Sequence, residues 1–135
     1  MSSTERKILF ISHEASLSGA PLVLLNFVRW LRQNKPFIKC DVLLLKGGEY
    51  IEAYEQVFDE LIFLENRNNH NISNKISSAF KRKLGLQSED KFLKNISNKN
   101  YNLLYCNTVV TLDWGIQIKQ ILTEARLILH LHELN

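Results

Sequence analysis

Two groups of polar residues, one near each end of the chain, have the types and spacing to do chemistry. The first is the loop in "ISHEASLSGAP", Ile11–Pro21. It holds His13, Glu14, Ser16 and Ser18, then Gly19, Ala20 and Pro21. Glycine lets a ligand approach the backbone closely, and proline in the first helical turn loses no hydrogen bond there. Free N–H groups and the positive end of a helix dipole then make an anion site, with phosphate as the natural guest. The second group closes the chain in "LHLHELN", Leu129–Asn135, with His130, His132 and Glu133. On a strand His130 and His132 share one face, and Glu133 points the other way. Three readings of the pair stay open: a metal site, a satisfied histidine at a strand end, and a substrate-contacting histidine. A metal needs further ligands, and there is no H-E-x-x-H or cysteine cluster to supply them.

The surrounding apolar runs must position these loops. Ile8–Ser12, Cys40–Leu45, Glu60–Leu64, Asn102–Asn107 and Arg126–Leu131 are short and apolar or β-branched, and predict strands. Leu22–Leu31, Glu49–Val57 and Thr108–Thr123 predict helices, the first ended by Lys35-Pro36. Lys46-Gly47-Gly48 predicts a turn. Strands alternating with helices give an α/β fold, a Rossmann-like open parallel sheet of about five or more strands with helices on both faces. Ligands in such sheets bind beyond the carboxyl ends of the strands, where both polar groups fall.

A chain of 135 residues predicts one domain, 1–135. Its net charge of +3 is unevenly placed: residues 66–100 carry +6, and the flanking segments are weakly acidic. That stretch is Asn-, Ser- and Lys-rich and predicts a basic polar insertion. Two helical pieces are plausible within it, because Ile72, Ile76, Phe80 and Leu84 repeat every four residues beside Lys81–Lys83. It is either a solvated insertion or a face for an anionic membrane surface. Nucleic acid is not expected, since the segment's aromatic residues are only Phe80 and Phe92.

Cys40 and Cys106 lie in apolar runs and predict buried thiols. The N-terminus "MSSTERK" is polar, and no apolar run approaches a membrane span of ~20 residues, so a cytoplasmic protein is expected. The sequons at Asn71 and Asn95 carry no weight in that setting. Neither G-x-G-x-x-G nor G-x-x-x-x-G-K-[ST] occurs, which argues against a dinucleotide site and a P-loop.

Taken together, Ser18-Gly19-Ala20-Pro21 after the first strand, "YCNT" at Tyr105–Thr108 and His132-Glu133 after the last strand resemble the N-terminal half of GT-B retaining glycosyltransferases of the family-4 type. The resemblance implies the acceptor-side domain of a nucleotide-sugar-dependent hexosyltransferase. It implies that the backbone at Gly19 and Ala20, with Ser18, approaches the donor diphosphate or the transferred sugar. His132 would be the catalytic contact to a sugar hydroxyl, with Asn107 and Glu133 as further substrate-binding residues. His13 and Glu14 would face a sugar or lipid-linked acceptor. It implies no metal and no cofactor other than the sugar nucleotide as substrate. The family's donor domain, with its E-x7-E motif, is missing from these residues, so the chain alone is expected to be inactive. The alternative is a non-catalytic Rossmann-like binding or interaction module.

Overall fold

The computed structural model describes residues 5–16, 18–64 and 85–132. Six strands form one sheet: β1 (Lys7–Ser12), β2 (Lys39–Leu44), β3 (Glu60–Leu64), β4 (Gly85–Gln87), β5 (Leu103–Cys106) and β6 (Arg126–Leu129). Their order is β4-β3-β2-β1-β5-β6, and every neighbouring pair is parallel. Among the described residues, four helices connect them: α1 (Gly19–Asn34), α2 (Ile51–Val57), α3 (Glu89–Asn95) and α4 (Leu112–Ile121). The Rossmann-like α/β architecture expected from the alternation of elements is present.

Side chains alternate across a strand, and here the alternation splits the apolar residues into two cores. Phe10, Val42, Leu44, Leu61 and Phe63 point to one face, under Leu24, Leu25 and Val28 of α1 and Tyr54 of α2. Leu9, Ile11, Leu43, Ile62, Leu104 and Cys106 point to the other, under Phe92 of α3 and Ile118 of α4. Phe10 is packed at ring-centroid distances of 5.7 Å from Phe58 and 5.2 Å from Tyr105, which ties β1 to its surroundings on both sides. Gly115 of α4 sits where an added Cβ would collide with Cys106 Sγ and touch Leu127, so the helix can lie close only because that residue is glycine.

Several boundaries differ from the sequence expectation for identifiable reasons. The last strand ends at Leu129 rather than Leu131 because its partner β5 ends at Cys106. The final rung is His130 N–H donating to the Cys106 carbonyl at 2.9 Å. The segment 108–123 is split: Val109–Thr111 is a 3₁₀ turn, in which Thr111 Oγ1 donates to the Thr108 carbonyl, and α4 follows. Part of the basic segment is structured. Gly85–Gln87 adds β4 to the edge of the sheet, and α3 starts at Ser88, whose Oγ accepts from Lys91 N–H at 3.2 Å. The helical repeat read at Ile72–Leu84, the Lys81–Lys83 cluster and the sequon at Asn71 lie outside the described residues. So does Glu133.

Both cysteines are buried and unbridged. Burial pushes the Cys40 thiol up to about 11 and raises that of Cys106. Asp41, the one buried carboxylate among the described residues, lies toward the amino ends of the strands. Burial raises its pKa; the hydrogen bond it accepts from Tyr101 Oη (2.7 Å) and the Lys7 ammonium at 3.5 Å oppose that shift.

Candidate functional site

In an open parallel sheet the carboxyl-end crevice opens where the strand order reverses. Here that point lies between β1 and β5: the chain winds from β1 through β2, β3 and β4 on one side, then returns to add β5 and β6 on the other. Residues that follow these strands therefore form the candidate site.

The loop after β1 is held by its own backbone and serines. Ala15 is fully buried, its carbonyl accepts from Tyr50 N–H at 2.8 Å, and the Ser12 carbonyl accepts from Leu45 N–H at 3.1 Å. Gly48 lies against Ala15, where any Cβ would strike the Ala15 carbonyl, so the "GG" turn after β2 is needed to seat this loop. Glu14 is turned inward, its carboxylate accepting from Ser16 Oγ at 2.8 Å and its carbonyl from Ser12 Oγ at 3.0 Å. His13 is exposed.

Ser18 is the N-cap residue of α1, but its side chain caps nothing. Its hydroxyl lies 2.8 Å from Ser16 Oγ instead. The first-turn N–H groups of Gly19 and Ala20 are left to other acceptors. A Cβ at Gly19 would meet nothing within 4 Å, so the backbone there is open to close approach. Pro21 is buried, and its carbonyl accepts from Tyr54 Oη at 2.7 Å, which anchors the start of the helix to α2.

Asn107, directly after β5, joins the two ends of the sequence. Only 1% of it is exposed. Its N–H donates to the Ile11 carbonyl at 3.0 Å. Its Nδ2 donates to the Ala20 carbonyl at 3.0 Å, and its Oδ1 lies 3.0 Å from His132 Nε2. The carbonyl of Ala20 can only accept, so the amide orientation is fixed and Oδ1 faces the histidine. His132 therefore donates through Nε2–H, and in the tautomer that this bond selects Nδ1 is the ring's acceptor. The His130 ring stacks on His132 with centroids 3.9 Å apart, and His130 Nδ1 is hydrogen-bonded to Tyr105 Oη at 2.7 Å. Burial, then the neighbouring His132, lowers the pKa of His130.

The structure thus brings together Ala20, Asn107 and His132, with Gly19 and Ser18 alongside in the chain. Glu14 is engaged with the serines of its own loop. His13 lines a separate cleft of about 320 Å³ on the same edge, with Leu45 and Lys46 after β2, Leu64 of β3, Glu89 of α3, Val110 from the β5–α4 connection and Trp114 of α4. Lys46, Trp114 and Glu89 were not singled out in the sequence. Lys46 reads as part of a glycine turn, and Trp114 as one apolar position of a helix. The position of Lys46 just past β2 is the signal that could have marked it. Among the described residues no group of three His, Cys, Asp or Glu could hold a metal ion, and no helix is long and apolar enough to cross a membrane. Compared with known protein families, curated proteins and solved structures, the chain finds no match.

Proposed function

We propose that this chain is the acceptor-side domain of a nucleotide-sugar-dependent retaining glycosyltransferase, with His132 as its catalytic contact to the reacting sugar. The observation that supports this reading best is the Asn107 bridge. It ties the first turn of α1 to His132, residues 112 positions apart in the chain, at the point where the strand order reverses. In this reading Gly19 and Ala20 present backbone N–H groups to a phosphate or sugar oxygen. His132, held in one tautomer by Asn107, accepts a hydrogen bond from a sugar hydroxyl through Nδ1. Asn107 is a positioning residue, since both its amide atoms are spent on protein. His13 faces the acceptor, and the donor nucleotide would be held mainly by a second domain.

The test is transfer of labelled sugar from a panel of nucleotide sugars by this domain in the presence of a donor-binding domain. Turnover that falls in His132→Ala while the donor affinity holds supports the reading. A protein that binds ligands on this edge but transfers no sugar from any donor is the non-catalytic module instead.

A further inference from the structure

The cleft lined by His13 has a chemistry the Asn107–His132 group does not use. Its apolar lining comes from Leu45, Leu64, Val110 and the partly exposed Trp114 ring. That ring is fixed by an edge-to-face contact with Phe92, centroids 6.4 Å apart. Phe92 itself is fully enclosed in the core. Three charged or titratable residues also line it: Lys46 after β2, His13 after β1, and Glu89 of α3. All three are exposed. None of their side chains has a hydrogen-bond or ion-pair partner among the described residues.

We infer that this cleft binds a single monosaccharide ring bearing an anionic substituent, and that it is the acceptor subsite of the transferase proposed above, on which this inference rests. The volume is at the lower end of the roughly 300–1,000 Å³ of small-molecule sites, enough for one ring and a substituent. A rigid indole offers a flat face to the C–H side of a sugar ring. Lys46, a point charge with three donors, suits a phosphate or carboxylate. Glu89 selects between ring types: a carboxylate accepts only, so it needs a ligand rich in donors, which sugar hydroxyls supply and a flat aromatic acid does not. His13 serves either role beside Lys46.

The 135-residue chain is titrated calorimetrically with the 6-phosphates of glucose, mannose and galactose, with the parent hexoses, with glucuronate and with inorganic phosphate. At least one anionic sugar should bind about tenfold or more tightly than both its parent hexose and inorganic phosphate, the loss expected for one charge-assisted hydrogen bond. The phosphate and glucuronate arms decide which anion is preferred. Lys46→Ala, at an exposed position that leaves folding intact, should erase the advantage over the parent hexose. Trp114→Leu should weaken both by about tenfold. Trp114→Phe, which keeps an aromatic ring against Phe92, should fall between, and its melting curve separates lost binding from lost structure. The inference is overturned if inorganic phosphate binds as well as every sugar phosphate, if no anionic sugar binds more tightly than its parent, or if Lys46→Ala changes nothing. Failure of the transferase reading looks different: the anionic sugar binds as described, yet no nucleotide sugar donates to it. Transfer to other acceptors with unchanged turnover in Lys46→Ala refutes the subsite alone.

Discussion

Replacing Asn107 by alanine tests the central claim about the site, that one buried amide couples α1 to His132. The substitution leaves the Asn107 backbone bond to Ile11 in place and removes two side-chain bonds, each 3.0 Å long. At about 0.5–1.5 kcal/mol apiece, their loss sums to about 2 kcal/mol. The Ala20 carbonyl still belongs to helix α1, so no buried acceptor is left wholly unpaired. For a chain of this length each kcal/mol lowers Tm by about 3–4 °C, so Asn107→Ala should melt about 7 °C lower. His132→Ala removes only one of the two bonds, from a partly exposed ring, and should cost about 1 kcal/mol. The double variant should then be less destabilised than the sum, because the shared bond is counted once. Denaturant unfolding of the four proteins gives the coupling directly. An Asn107→Ala protein that melts within about a degree of wild type, or strictly additive variants, would falsify the bridge.

Further outcomes follow from other parts of the structure. With the donor domain present, His132→Ala should lower turnover by an amount equivalent to about 2–3 kcal/mol, whereas His130→Ala, which loses Tyr105 and the ring stack, should act mainly on Tm. Equal kinetic losses would show that the wrong histidine has been assigned. Gly48→Ala should destabilise the fold and move the amide signals of residues 14–16, since a Cβ there strikes the Ala15 carbonyl; unchanged spectra would contradict the close approach. Cys40 and Cys106 should resist alkylation at pH 8 in the native state and react on unfolding, because burial holds both thiols above their ordinary pKa. Rapid native labelling would refute their burial. His130 has a folded pKa below that of an unfolded histidine, so its contribution is intact above roughly pH 6.5 and is lost as pH falls through the lower folded value. His130→Phe should flatten that part of the stability–pH profile, and an unaltered slope would locate the titration elsewhere.

The strands and the first helix were readable because parallel strands covered on both faces are nearly continuous apolar runs, such as "ILFIS" and "DVLLL". The sites of Ser18–Ala20 and His132 followed from the same logic, as residues just past strand ends. What the sequence did not show was which of them meet. Asn107 reads from the resemblance as a substrate contact, and only the β1–β5 pairing places its amide beside both Ala20 and His132. Strand β4 was invisible because three residues are too few for a period, and α3 because its polar face dominates so short a helix. Its start was marked, however, by Ser88 followed by Glu89 and Asp90.

The placement of β1 in the middle of the sheet also sets a timetable. One edge of β1 is paired as soon as β2 is made, but its other edge must wait for β5, which begins at Leu103. Between the end of β3 and that point lie roughly 40 residues, or about 2–8 s of synthesis at ~5–20 residues per second. Throughout that interval a nascent β1-α1-β2-α2-β3 unit carries the bare backbone edge of an apolar strand, "ILFI", open to pairing with any other extended chain. Slow codons or a stalled ribosome within residues 65–102 would lengthen that exposure, and faster elongation there would shorten it.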